Sequence, residues 1–118
     1  MYYHLYIEYL FGEGKNAKMQ STYLQDEMNV ETITQQYLKP FIEGVPMMIV
    51  SGRVVRAGTI NVFRVLETDR PLSDIILEKN NNVPRGCIMF YRATDLLSGH
   101  FSEVRDITNN LISKFSNN

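Results

Sequence analysis

Nucleophilic catalysis needs a nucleophile, a base and an orienting group that meet in space. Side chains of those types in this sequence are Cys87, His4, His100 and acids such as Asp95. With one cysteine and two histidines, a Cys–His–Asp set can be nominated in any fold, so the nomination has no weight. Cys87 stands in the apolar run Cys87-Ile88-Met89-Phe90 and reads as a small buried hydrophobe. His100 follows Ser98-Gly99 in a break and reads as a surface histidine, and His4 reads as a histidine on a strand face. No two histidines or cysteines stand at metal-ligand spacing, and Asp69/Asp74 and Asp95/Glu103 read as helix-start or solvated acids. Gly12-Glu13-Gly14 lacks the later glycine and the helix of a dinucleotide fingerprint, and no phosphate loop is present. The expectation is a chain with no catalytic residue, no metal and no cofactor.

Arginine offers a rigid donor fork that suits phosphates and carboxylates. Arg53, Arg56 and Arg64 lie between Ser51 and Leu66, a window without an acid, and are the candidate ligand-binding residues. A regular strand would put Arg53 and Arg56 on opposite faces, which weakens a shared pocket and favours solvated arginines around a hairpin. Tyr2, Tyr3, Tyr6 and Tyr9 could stack on bases. Tyrosine is also a good strand residue, and core or dimer packing is the reading taken. Tyr2, His4 and Tyr6 are the candidate interaction surface.

The elements that must position these residues show as changes of period. Tyr3, Leu5, Ile7, Tyr9 and Phe11 fall on one strand face and Tyr2, His4, Tyr6, Glu8 and Leu10 on the other. Gly12–Asn16 is a turn, and Met19–Gln25 reads as the returning strand. Val30, Ile33, Tyr37 and Phe41 then recur at helical steps, with Asn29 as N-cap. Pro40 should end or kink this helix near residue 39, and Gly44 should close the turn. Met47–Val50 and Arg53–Arg56 read as a short hairpin about Ser51-Gly52, and Ile60–Glu67, apolar on both faces, as a central strand. Asp69 can cap a short helix with Leu72, Ile75 and Ile76 on its apolar side. Cys87–Tyr91 reads as extended, while Val104, Ile107, Leu111 and Phe115 are spaced as a final helix that frays at Ser116-Asn117-Asn118.

The sequence of 118 residues, 44% apolar and 21% charged, suits one domain with a proper core. Its formal net charge of −1 disfavours a protein that grips phosphates, so nucleic acid is not an expected partner. The single cysteine excludes an internal disulfide. The longest apolar run, about Val45–Val50, falls far short of the roughly 20 residues that span a bilayer. The opening MYYHLYIEYL carries no basic start and has Glu8 within it, unlike a signal peptide. A cytoplasmic protein with no membrane partner is expected.

Three segments taken together, YYHLYIEY, LKPFIEGVPMMIVSGRVVRAGTINVFRVLETDRP and VRDITNNLI, cover roughly half the chain. They resemble the N-terminal accessory domain of bacterial proteins whose C-terminal part is a predicted nucleotide-binding, Toll/interleukin-receptor-like domain of antiphage-defence type. The matching positions are Pro40, Phe41, Gly44 and Pro46; Gly52 and Arg53; Ile60, Val62, Phe63 and Thr68; and Arg105, Asp106, Ile107 and Thr108. The nucleotide-binding part is absent from these residues, and the stretch from Leu72 to Ser98 matches nothing in the pattern. The resemblance implies a non-catalytic interaction, sensor or oligomerisation domain that controls an attached effector. A small-ligand or nucleic-acid binding domain using Arg53, Arg56 and Arg64 is the alternative. Asp106 and Thr108 read more simply as caps of the last helix.

The expected fold is a single α+β domain over residues 1–118, possessing a mostly antiparallel sheet in the order β-β-α-β-β-β, one packed helix and a helical C-terminus. Tyr2–Phe11, Met47–Val50 and Ile60–Glu67 are expected to share one sheet. Tyr2, Tyr6 and Leu10 should then stay on the surface unless a homodimer or protein partner covers them, or the Leu72–Tyr91 stretch folds back over that face.

Overall fold

The N-terminal alternation becomes β1 (Tyr2–Phe11), which pairs antiparallel with β2 (Met19–Met28) on one side and β5 (Ile60–Thr68) on the other. A two-residue strand, β6 (Arg105–Asp106), adds to the far side of β5, so the sheet order is β2-β1-β5-β6. The computed structural model describes residues 1–11, 19–84, 86 and 90–116. The expected turn at Gly12–Asn16, Cys87 with its two apolar followers, and Asn117-Asn118 lie outside the described residues.

Both faces of this sheet are covered. On the odd face, Leu5, Ile7 and Tyr9 of β1 and Val65 of β5 pack with Ile33, Met48, Val50 and Val55, and Ile107 and Leu111 lie against them. These partners come from the helix over residues 30–42 (α1), the hairpin of β3 (Met47–Val50) and β4 (Arg53–Arg56), and the start of α4 (Thr108–Ser116). On the even face, Tyr6 and Leu66 pack with Leu72 and Ile75 of α2 (Leu72–Asn81) and with Leu96 and Leu97 of α3 (Ala93–Ser98). Each such aliphatic side chain taken out of water contributes about 1.5–3 kcal/mol. The result is the expected α+β domain with a mostly antiparallel sheet.

Three expectations are corrected. Met47–Val50 does not join the β1–β5 sheet; it forms a separate two-stranded sheet with β4. Alternation says that a strand has an inside and an outside, not which edge it pairs with, and the hairpin satisfies its own backbone locally. The helix at Val30 does not stop at residue 39. Its middle turn, Thr34–Leu38, widens to a π-helix and it continues as Lys39–Ile42. In the widened turn the Lys39 amide donates to the Thr34 carbonyl, five residues back, just before Pro40, which has no amide to place. The helix then closes as foreseen at Gly44, with φ +72°; the Gly44 amide reaches the Phe41 carbonyl and the Val45 amide the Pro40 carbonyl, a Schellman closure.

The third correction concerns the even face of β1. Tyr6 is 4% exposed and His4 fully buried, and only Tyr2 of the three candidate interaction residues remains at the surface. The covering layer is α2, from the Leu72–Tyr91 stretch that was the alternative cover for this face, together with α3, which lies beyond that stretch. Smaller differences follow the same logic of long-range partners. Asp69 does not cap α2; it pairs with Arg105, 36 positions away. Val104 belongs to the even-face core and not to the last helix, which begins at Thr108.

Candidate functional site

Two of the three window arginines sit on the hairpin and the third does not. The β3–β4 pairing sets Met47 opposite Arg56, Met48 opposite Val55, Ile49 opposite Val54 and Val50 opposite Arg53. Directly paired residues share a face. Met48, Val50 and Val55 therefore anchor the hairpin on the odd-face core, while Met47, Ile49 and Val54 turn away from it, 56%, 69% and 63% exposed. Ser51 and Gly52 both adopt positive φ, 54° and 74°, which gives the tight turn the twist a two-residue hairpin needs.

Arg56 lies beside Met47 on the exposed face, whereas Arg53 pairs with Val50 on the core-facing side, its guanidinium over the ring of Phe11, 4.7 Å from its centre. The outer face is therefore apolar in the middle with one cation, Arg56, at its margin, and no acid occurs between Ser51 and Leu66. Adjacent exposed apolar side chains occur at protein–protein contact regions, in which arginine is enriched.

Arg64 is consumed by the fold on the opposite face of the sheet. Its Nε donates to Asp106 Oδ2 at 3.0 Å, Nη1 to the Leu97 carbonyl at 2.6 Å, and Nη1 and Nη2 to the Gly99 carbonyl at 3.3 Å. These bonds cap the C-terminus of α3, where unpaired carbonyls and the helix dipole favour a cation. Asp106 closes the network by accepting from the Thr108 amide at 3.0 Å and the Thr108 hydroxyl at 2.6 Å. That hydroxyl also receives the Val65 amide at 2.8 Å. Burial raises the Asp106 carboxyl's pKa, but the Thr108 and Arg64 hydrogen bonds outweigh burial and hold it below its usual range. Asp106 and Thr108 are thus the helix-start residues the sequence suggested.

His4, Asp26 and Thr68 form the arrangement most like a catalytic relay. His4 Nδ1 meets Asp26 Oδ1, and Nε2 meets Thr68 Oγ1 at 2.8 Å. A bulge in β2 opposite His4, with Glu27 at φ 51°, brings Asp26 over the imidazole. Thr68 and His4 are fully buried, and the Thr68 hydroxyl donates to the Arg70 carbonyl at 2.7 Å. With the imidazole and the hydroxyl buried, the arrangement ties β1, β2 and β5 together. His100, the other histidine, is exposed as expected, and Asp95 caps α3 through the Arg92 amide at 2.8 Å.

A cleft of about 390 Å³ opens between α1 and α4, floored by Tyr3, Val30, Ile107 and Leu111 and rimmed by Glu31 and Lys114. Among the described residues no cluster of three or more His, Cys, Asp or Glu side chains is placed to hold a metal ion, and no helix is long and apolar enough to cross a membrane.

The surface residues that sequence reasoning passed over are Met47, Ile49 and Val54. Their signal was present: a four-residue strand of four apolar residues, MMIV, has one more apolar face than a two-stranded hairpin can bury. Comparison of the chain with protein-family models, with curated proteins and with solved structures returned no match.

Proposed function

We propose that this chain is a non-catalytic interaction domain that docks a protein partner on the outer face of the β3–β4 hairpin. The observation that carries the reading is the exposure of Met47, Ile49 and Val54 together on one face beside Arg56. The partner surface that fits is apolar at its centre and carries carboxylates at its margin, so that burial supplies affinity and charge supplies orientation. The resemblance to accessory domains of bacterial defence proteins supports a role in the cytoplasm in which the contact governs an attached Toll/interleukin-receptor-like effector. A pocket made by Arg53, Arg56 and Arg64 finds no support, since Arg64 is committed to α3 and Asp106 across the sheet.

The test places a photo-crosslinking residue at Ile49 and, separately, at Leu77, which is 62% exposed on α2, in cells that express the protein. One dominant protein adduct from Ile49, weakened by Arg56→Glu and absent from Leu77, is the expected result. Equal adducts at both positions, or none at Ile49, would overturn the reading.

A further inference from the structure

His4 is fully buried, and its hydrogen-bond partners assign the hydrogens on its ring. The Arg70 carbonyl can only accept, so at 2.7 Å it takes the one hydroxyl hydrogen of Thr68. Thr68 Oγ1 is left to accept, and His4 Nε2, at 2.8 Å, must donate to it. Nδ1 has two neighbours with opposite needs. The Asp26 carboxylate only accepts and requires a hydrogen on Nδ1, whereas the Glu27 amide, at 3.5 Å, only donates and requires a bare nitrogen. Both sit on the bulged end of β2, where Glu27 holds φ 51°, a left-handed angle that few residues with a side chain adopt. The Asp26 side chain is 40% exposed, so water can receive it when the ring lets go. Met28, paired with Tyr3, and Asn29, the cap of α1, follow directly.

We propose that the proton on His4 Nδ1 is a two-position switch on the end of β2: the imidazolium holds Asp26, and the neutral ring releases Asp26 to water and takes the Glu27 amide instead. The step moves one proton between Nδ1 and solvent and exchanges one hydrogen bond for another. Thr68 fixes its sense, because Nε2 keeps its hydrogen in both positions and the proton that leaves is the one on Nδ1. Imidazole ordinarily titrates within about pH 5–8, so acid closes the contact to Asp26 and base opens it. The charged groups of the neighbouring elements are engaged elsewhere: the Arg70 guanidinium with Glu78 of α2, Asp69 with Arg105, and Asp106 with Arg64. The Glu27 side chain is exposed, and Leu66 stands opposite His4 on β5. Tyr2 and Tyr6 flank His4 on its face of β1, and a phenol ordinarily stays neutral over this range. The switch acts where β2 hands over to α1. His4 lies on the even face and the hairpin packs on the odd face, so the switch and the docking surface proposed above stand or fall separately.

Nitrogen NMR of the isotope-labelled full chain across about pH 5–8 tests the proposal. At the acid end both ring nitrogens of His4 should carry hydrogen. At the basic end Nε2 should keep its hydrogen and Nδ1 should show as bare. Over the same steps the Glu27 amide should shift downfield as it gains an acceptor, and its exchange should slow relative to an unstructured peptide at each pH. Thr68→Val removes the group that obliges Nε2 to donate. Its neutral ring should take the other tautomer, keep Asp26 and leave the Glu27 amide without the pH response; circular dichroism checks its fold. A neutral wild-type ring with its hydrogen on Nδ1, a ring that keeps one protonation state throughout, or a Glu27 amide that does not follow the ring overturns the proposal. So does a folded Thr68→Val whose Glu27 amide responds as in wild type. The wild-type spectra decide alone if Thr68→Val does not fold.

Discussion

Replacing Arg64 with methionine separates a structural arginine from a ligand-binding one. The substitution keeps most of the apolar stem and deletes the guanidinium, whose side chain is 14% exposed. It strips Asp106 of its cation and leaves the Leu97 and Gly99 carbonyls, at the end of α3, without their donors. Hydrogen bonds to a charged group contribute about 1.5–3 kcal/mol when well buried, and the 42% exposure of Asp106 lets water replace part of its share. A net loss of about 2–3 kcal/mol follows, which for a chain of this size lowers Tm by about 8–15 °C. Thermal unfolding followed by circular dichroism reads it directly. A double-mutant cycle with Asp106→Asn should show coupling of about 1 kcal/mol, because the two residues share one network. If Arg64→Met lowers Tm by less than about 3 °C, the network is not what holds α3, and Arg64 would be free to serve a ligand after all.

Tyr6→Glu should unfold the domain or cost about 3–5 kcal/mol by chemical denaturation, since it sets a carboxylate among Leu66, Leu72 and Leu96; a fully stable variant would mean that this face is open. Asp106, with its pKa held low in the fold, stabilises above the unfolded carboxyl value and loses that contribution as pH falls through its folded value. Asp106→Asn should therefore be less stable than wild type at neutral pH and show a shallower loss of Tm towards acid. Tyr23, pushed up to about 12 by burial and by the hydrogen bond to Tyr37, favours the neutral phenol in the fold. Its contribution is complete below the ordinary tyrosine value and is lost as pH rises to about 12. Denaturant midpoints should fall over that range, and less steeply in Tyr23→Phe.

Local features of the fold were legible because their causes are local. The two faces of β1, the Asn29 cap whose side chain accepts the Glu31 amide, the closure at Gly44 and the Ser51-Gly52 turn are each fixed by a few neighbouring residues. The central place of β5 was legible from apolar residues on both faces, and it lies between β1 and β6. What escaped depends on partners far along the chain. Tyr6 reads as a surface tyrosine until α2 and α3, some 70–90 positions later, close over it. Arg64 reads as a free cation until α3 ends beside it, 33 residues on. The six-residue α3 is too short for a periodic signal of its own. Near Pro40 the regular helix gives way to a π turn over Thr34–Leu38 and continues only to Ile42, because the widened turn lets the chain carry a residue that has no amide to place. At the candidate site Arg56 was legible, but the apolar face it borders was not, because its exposure depends on the hairpin leaving the main sheet.

The central claim is that the outer face of the β3–β4 hairpin binds a protein partner. Titration calorimetry of the partner captured at Ile49 against wild type, Ile49→Asp, Arg56→Glu and Leu77→Asp tests it most directly. All three substituted side chains are exposed, so the variants keep the fold. Affinity should fall at least about tenfold for Ile49→Asp, the loss of an apolar contact at the centre of an interface. For Arg56→Glu it should fall with a weaker salt dependence, and for Leu77→Asp it should not change. Equal affinities for wild type and Ile49→Asp would contradict the account.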